Sequence, residues 1–180
     1  MTPVCRALAL SLVIALFSQP RIAHAGPTDT PLPTFSDGKP SMRVYHAVGV
    51  IKANNLQTDV ICTNLDSMAV DIGVEVFDET GALRNSIAAD NGAFLNVAPG
   101  TTVTMGTGST MVLHEDKTIA LNANGNGADL LRNGSGRIVA TSKSIACTAL
   151  IADKLHAIVD PAVSSLPPPP FTNLPLIRVP

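Results

Sequence analysis

Residues 58–78 read TDVICTNLDSMAVDIGVEVFD, and this stretch decides the fold class. In its second half Val70, Ile72, Val74 and Val76 recur at a strict period of two, with two acids among the residues between them. Successive side chains of a β-strand point to opposite faces of the sheet, so a period of two is typical of a strand. The stretch therefore predicts a strand with one buried face and one mostly solvated face.

Two cysteines lie in strand-like segments that are far apart in the chain. Cys62 belongs to the first half of the opening stretch, and Cys147 lies in a similar apolar run, IACTALI, at residues 145–151. In an oxidising compartment two such cysteines usually pair; the alternative is two buried free thiols. We predict a Cys62–Cys147 disulfide, which requires Cα atoms within about 7 Å of each other.

The first 25 residues predict export. Residues 1–25 contain a short basic head, an uncharged apolar run at residues 7–17 and the cleavage pattern Ala23-His24-Ala25, so the mature protein is predicted to begin at Gly26. The apolar run is shorter than the roughly 20 residues of a membrane-spanning helix. We therefore expect a secreted or periplasmic protein, with no stable membrane insertion after cleavage between Ala25 and Gly26.

Charge and aromatic content narrow the class of partner. The chain has 12 basic and 14 acidic residues, and loss of Arg6 and Arg21 with the leader gives a mature net charge of −4. Weak acidity without a basic cluster argues against nucleic acid and anionic membranes. Tryptophan is absent and Tyr45 is the only tyrosine, so the aromatic platforms of single-strand binders are missing. A protein partner remains, and the sequence does not specify an oligomeric state.

Proline content divides the mature chain into three parts. Residues 26–41 contain four prolines and form either a linker or an ordered arm laid on the domain. Residues 42–160 form the predicted domain. Residues 161–180 contain seven prolines, four of them consecutive at 167–170, which favours an extended polyproline tail that joins neither helix nor sheet.

About nine short strands separated by turns are predicted within the domain. The first covers residues 42–51 and places His46 and Val48 on its apolar parity, and another covers residues 82–88. Residues 122–136 form the longest irregular stretch and are rich in asparagine and glycine. Residues 153–159 could form a short helix with one apolar face. This pattern predicts an all-β fold, a single antiparallel β-sandwich of seven to nine strands.

A β-domain cross-linked by two cysteines on its strands resembles the immunoglobulin-type sandwich, and the chain is also similar to fibronectin-III-like domains. The third strand lacks the family's tryptophan, and Ile145 stands where a tyrosine corner would have tyrosine. Short segments are similar to uncharacterised secreted bacterial domains: CTNL at 62–65, VEVFD at 74–78, PG at 99–100 and RIVATS at 137–142. The resemblance implies a sandwich over residues 42–152, and it implies no activity and no functional residues.

One segment imitates the start of a calcium loop. Residues 122–129 read NANGNGAD, with side-chain oxygens at alternate positions. Three of these ligands would be neutral amides, and the twelfth position is Asn133 where such a loop needs glutamate. We interpret residues 122–136 as an Asn/Gly loop and predict no metal and no cofactor.

Catalytic patterns are equally weak. His46, His114 and His156 are far apart and show no metal-ligand spacing. Ser135 lacks the flanking glycines of a nucleophile elbow, although a triad assembled from distant residues is recognised only by geometry. The adjacent acids at 78–79 and 115–116 are interpreted as solvated turn residues. We predict no catalytic, cofactor-binding or metal-binding residue.

The sequence favours a secreted, non-catalytic β-sandwich that acts as a structural or protein-interaction module. The alternatives are a small-ligand or metal-binding domain that uses residues 122–136, and an unrecognised hydrolase. A pocket lined by His46, His114 or His156 with acids nearby would favour the enzyme. An apolar patch or an unpaired sheet edge would favour partner binding.

Overall fold

The computed structural model describes residues 26–110, 113–121, 129–153 and 171–180. Within these ranges the chain is built from strands, with no α-helix and one short 3-10 turn at Ile87–Ala89. The ten strands are β1 (Met42–Ala53), β2 (Leu56–Asn64), β3 (Val70–Phe77), β4 (Ala93–Val97), β5 (Thr102–Gly106), β6 (Lys117–Thr118), β7 (Leu131–Ala140), β8 (Ile145–Asp153), β9 (Phe171–Leu174) and β10 (Leu176–Arg178). The all-β prediction is confirmed.

The strands form one hydrogen-bonded system with two halves. The order β4-β3-β7-β1 makes the first half, and β8-β2-β5-β6 makes the second. Neighbours are antiparallel, as predicted, apart from the short parallel β5–β6 pair. The β1–β2 hairpin joins the halves on one side. On the other side β9 pairs with β8 while β10 pairs with β1, so the C-terminal segment bridges them.

Both halves bury their apolar side chains in one common cluster, which is how a two-layer β-domain makes a core. Its fully buried members include Val44, Tyr45, Val60, Cys62, Ile72, Val74, Val76, Met105, Leu131, Ile138, Ile145 and Ala149. This shared interior supports the sandwich prediction. Its immunoglobulin-like character stays a prediction.

β-Bulges make the predicted parity of β1 wrong at His46 and Val48, whereas Val44 and Val50 are buried as predicted. Register shifts interrupt its pairing with β7 at three points, one of them between Val48 and Val50, where Gly49 has φ of 94°. The first two shifts add a residue to β1 and the third adds one to β7, and an extra residue exchanges the two faces of its own strand beyond it. Tyr45, Ala47 and Val50 therefore point into the core, whereas Val48 is 66% exposed.

The second face of β3 is not solvated, so that prediction is also wrong. Every residue of Val70–Phe77 is buried, including Asp71 and Glu75. The outer face lies under a second apolar cluster, made by Phe35, Ile87, Ala93 and Val139. Phe35 belongs to residues 26–41, so of the two alternatives for this segment the ordered arm is the one found.

The C-terminal tail is not separate from the sheet, contrary to the prediction for residues 161–180. Phe171–Leu174 pairs with β8 and Leu176–Arg178 pairs with β1, and Pro175 lies between them. The four consecutive prolines lie outside the described residues. Proline lacks a backbone N–H, which prevents the run itself from pairing as a strand. The residues after the run, apart from Pro175 and Pro180, have backbone N–H groups that can pair with a strand, and Leu174 among them is buried.

Two irregular segments also differ from expectation. Residues 82–88 do not form a strand, because the Asn85 side chain takes up the edge of β3: its Oδ1 accepts from Val76 N and its Nδ2 donates to Val74 O, both at 2.8 Å. β7 begins at Leu131, so the second part of the 122–136 stretch is strand. Residues 122–128 and 1–25, and the possible helix beyond Asp153, lie outside the described residues.

Candidate functional site

The predicted pairing of Cys62 and Cys147 is confirmed in its geometry. The two residues stand directly opposite each other on the antiparallel strands β2 and β8, with Cα atoms 4.2 Å apart and sulfurs at disulfide distance. The cross-link therefore joins hydrogen-bonded neighbours within one half of the sheet. It holds the register of β2 against β8, which is a structural role.

Arg137 is the most completely buried large side chain, and all its donors are engaged. Its Nε donates to Oε2 of Glu75 at 2.7 Å, and its NH2 nitrogen lies 2.6 Å from the same oxygen. The remaining N–H groups donate to three main-chain carbonyls of the N-terminal arm: Pro27 O at 3.1 Å, Thr30 O at 2.7 Å and Pro31 O at 3.0 Å. Arginine has five donors, and this arrangement uses them all. The guanidinium fastens the arm to the sheet.

The two buried acids of β3, Asp71 and Glu75, likewise bind other groups of the protein. Burial raises the pKa of the Glu75 carboxyl, and the Arg137 guanidinium opposes that shift. Asp71 accepts from Asn96 N at 2.7 Å and from Lys39 Nζ at 2.9 Å. These carboxylates were expected on a solvated face, but they hold the arm and β4 in place.

The two histidines that the structure describes, His46 and His114, lie in different surroundings. His46 lies on the outer face of β1 between Arg137 and Ile177, and burial together with the charges of Arg43 and Arg137 lowers its pKa. His114 is exposed, with Nδ1 3.3 Å from a carboxylate oxygen of Asp116.

Other residues considered in the catalytic and metal hypotheses make structural contacts or lie within strands. His156 lies outside the described residues, and Ser135 is an ordinary β7 residue paired with Val48. Asp129 accepts from Lys52 Nζ at 2.6 Å and from Leu121 N at 3.3 Å. Asn133 is part of β7. Among the described residues no group of three or more His, Cys, Asp or Glu side chains is arranged to hold a metal.

The sequence did not predict a cluster of Gln57, Asp59 and Glu115, which we call the carboxylate cluster. Gln57 Nε2 donates to Asp59 Oδ1 at 2.8 Å and to Glu115 Oε1 at 2.9 Å, so one amide bridges two carboxyl groups. Burial, and the nearby charge of Glu115, raise the pKa of Asp59 to about 7. Glu115 was interpreted as solvated, because nothing in the local sequence shows that it reaches β2.

An exposed apolar strip lies on the outer face where β1 and β10 meet. His46 pairs with Ile177 and Ala47 with Leu176, and continuing that register by one residue puts Val48 beside Pro175. Val48 is 66% and Ile177 is 58% exposed, and Pro175 is exposed as well. We call Val48, Pro175 and Ile177 the β1–β10 strip.

The fold and its cross-link define a class: an all-β, antiparallel domain with a cysteine pair at disulfide distance. Comparison of the chain with protein-family models, curated proteins and solved structures gave no match. In the part of the chain that the structure describes, no helix has the length and apolarity to span a membrane. The cysteine pair is compatible with an oxidising, extracellular environment.

Proposed function

We propose that this chain is a secreted, non-catalytic β-sandwich protein that acts as a protein-interaction module through the β1–β10 strip. The observation that carries the proposal is the strip itself, in which two large apolar side chains, Val48 and Ile177, are more than half exposed on the paired strands β1 and β10. Ile177 lies opposite His46, two residues before Val48. Exposed apolar patches on stable domains commonly mark contact surfaces.

The way the buried polar groups are used supports a non-catalytic role. Arg137, Asp71 and Asn85 each bind main-chain atoms of the protein's own arm, strand or turn. A catalytic group needs a reacting atom within hydrogen-bond reach, together with a second group that orients it. His46, the histidine nearest the sheet centre, instead faces the cation Arg137 across the β1–β7 pair.

The charges around the strip indicate the chemistry of the partner. The adjacent strands β10, β1 and β7 contain five Lys or Arg residues and no Asp or Glu. Arg137 is paired with Glu75 and Lys52 with Asp129, which leaves Arg43, Arg132 and Arg178. Arg178 donates to Tyr45 Oη and to Lys143 O, and Arg43 donates to Thr28 O, so neutral oxygens leave both charges uncompensated. We propose a protein partner with an apolar face bordered by acidic side chains.

A differential capture experiment tests this proposal. The mature protein is immobilised and exposed to the extracellular fraction of the source cells, beside the double variant Val48→Asp/Ile177→Asp. The matched control is Leu65→Asp/Met68→Asp, since Leu65 and Met68 are 64% and 70% exposed but lie in the β2–β3 turn. Captured proteins are quantified by mass spectrometry.

We expect at least one protein that is retained by the wild type and by the control variant, and that falls at least tenfold with the strip variant. Its retention should weaken as salt is raised, because screening reduces attraction between exposed charges. The proposal is overturned if the strip variant retains the same proteins as the wild type, or if only the turn variant loses them. Purified protein that turns over a substrate would contradict the non-catalytic assignment.

A further inference from the structure

The carboxylate cluster lies on the outer face of β2, on the opposite parity from the core residues Val60 and Cys62. Gln57 and Asp59 are two residues apart on the strand, so their side chains point the same way. Both are nevertheless buried, with exposed fractions of 1% and 0%. The segment after β5 is fixed to β2 through Thr107. Thr107 N donates to Thr58 O at 2.8 Å, and Thr107 Oγ1 accepts from Thr58 N at 3.0 Å.

Two oxygens in this cluster have no hydrogen-bond partner. Gln57 gives both its N–H groups to the carboxyl groups, which leaves Gln57 Oε1 and Asp59 Oδ2 buried and unpartnered. A buried polar atom without a partner is costly and rare in folded proteins, and a bound ion is one of the partners that can satisfy it. No Lys or Arg of the described chain pairs with Asp59 or Glu115, so the charge here is uncompensated acid.

Two glycines, Gly106 and Gly108, allow the main chain to come close to the oxygens of Asp59 and Gln57. A Cβ atom built on Gly106 would lie 2.4 Å from Asp59 Oδ1 and 2.6 Å from the carbonyl oxygen of Gly108. A Cβ on Gly108 would lie 2.5 Å from Gln57 Oε1. Only glycine leaves room for these contacts. They bring a backbone carbonyl to the side-chain amide and carboxyl oxygens, all of which are ligand types for a hard cation.

We propose that Asp59, Gln57 and Glu115, with the carbonyl oxygen of Gly108, bind a divalent cation, and that Ca²⁺ is the preferred ion. Two carboxylates neutralise the ion, and the neutral amide and carbonyl oxygens complete an all-oxygen set. Ca²⁺ accepts such mixed and irregular sets of oxygens, whereas Mg²⁺ demands near-octahedral geometry and gives up its waters reluctantly.

This site differs from the calcium-like segment considered from the sequence. That segment begins at residue 122, and its one acid, Asp129, is already paired with Lys52. The two hypotheses make opposite predictions for single substitutions, so they can be separated. The cation site is also independent of the β1–β10 strip, because it lies on β2 in the other half of the sheet.

Isothermal titration calorimetry and thermal unfolding of the disulfide-intact mature protein, freed of metals with a chelator, test the proposal at pH 8. CaCl₂ should bind and raise Tm, with Kd in the range of about 10⁻⁴–10⁻³ M found for extracellular modules. Asp59→Asn and Glu115→Gln should each weaken binding at least tenfold. Asp129→Asn should leave it within twofold of wild type. MgCl₂ should bind more weakly than CaCl₂.

The proposal is overturned if up to 10 mM Ca²⁺ gives neither heat nor a Tm shift in the wild type. It is also overturned if Asp129→Asn abolishes binding, or if both cluster variants still bind like wild type. Should Asp59→Asn fail to fold, Glu115→Gln decides the question.

Discussion

Arg137 and Glu75 face each other from the adjacent strands β7 and β3, with the Arg137 Nε 2.7 Å from Glu75 Oε2 and both side chains buried. The same guanidinium holds three carbonyls of the N-terminal arm, so one side chain connects the sheet, a buried acid and the start of the described chain. Removing one member of a buried ion pair leaves the other uncompensated, typically at a cost of about 3–5 kcal/mol.

Arg137→Ala should therefore lower the free energy of unfolding by about 3–5 kcal/mol, measured by urea denaturation. Arg137→Lys should retain a charge but release the arm, because lysine cannot serve five acceptor contacts in a fixed plane. Limited proteolysis within residues 26–41 should then be faster than in wild type. Arg132→Lys, on the exposed face of the same strand, is the control and should change neither quantity.

Replacing Cys62 and Cys147 by serine should destabilise the domain. The bonded cysteines are 85 residues apart, and the loop-entropy model gives about 4–5 kcal/mol for closing a loop of that size, an upper-end figure. Urea unfolding of wild type, with and without reductant, should reproduce most of the difference between wild type and variant. Two thiols that react with label in denatured, unreduced wild type would contradict the cross-link.

Deletion of residues 171–180 should unfold the domain or lower its stability by several kcal/mol, instead of leaving it unchanged as a separate tail would. The deletion exposes Leu174, half-buried Leu176 and the edges of β1 and β8, and burying one large apolar side chain is worth about 1.5–3 kcal/mol. The single substitution Leu174→Ala should cost about 2–4 kcal/mol. Circular dichroism during thermal unfolding measures both. A truncated protein as stable as wild type would contradict the pairing of the C-terminal strands.

In the absence of divalent cations the protein should be more stable at pH 5 than at pH 8. Burial raises the pKa of Asp59 to about 7 in the folded protein, against about 3.9 for an unperturbed aspartate, so between about pH 4 and pH 7 the folded state keeps a proton that the unfolded state has lost. The stabilisation is fully present below the unfolded pKa and is lost as pH rises through about 7. Of the shift, about two pKa units fall between pH 5 and pH 8, so at about 1.4 kcal/mol for each unit the loss over this range is about 3 kcal/mol.

Chemical denaturation at both pH values, in a chelator, tests this dependence on pH. Asp59→Asn should be nearly insensitive to pH across the interval, whereas Asp129→Asn should follow wild type. Unfolding free energies for wild type that rise from pH 5 to pH 8 would show that Asp59 is not the controlling group.

Exported protein should begin at Gly26, because cleavage is predicted after Ala23-His24-Ala25. N-terminal sequencing or intact mass of protein recovered from the cell exterior measures the cleavage site. As a control, Ala25→Asp should slow processing and leave the precursor mass, because cleavage requires a small residue at this position. Retention of Met1 in exported wild-type protein would remove the basis for the proposed secretion.

The alternation of apolar and polar residues, together with local chemistry, predicted a good part of the fold. β3 and β8 lie where the period of two and the apolar runs put them, and Cys62 and Cys147 meet because each lies on such a strand. These features depend on a few neighbouring residues, so they are visible in any short window of sequence. The bulges of β1 were not visible, since a bulge depends on how β7 accommodates an extra residue.

Local spacing was enough to predict the all-β class and the cysteine pair, both of which the structure bears out, and it also predicts the leader. Contacts between distant segments bury the acids of β3, bind Arg137 to Glu75 and the arm, and bring Gln57 to Glu115, and they arise only in the folded protein. The contacts of Arg137 and Gln57 join residues more than fifty positions apart in the chain. A period of two shows that a strand has two different faces, but whether the second face meets water depends on distant segments laid over it.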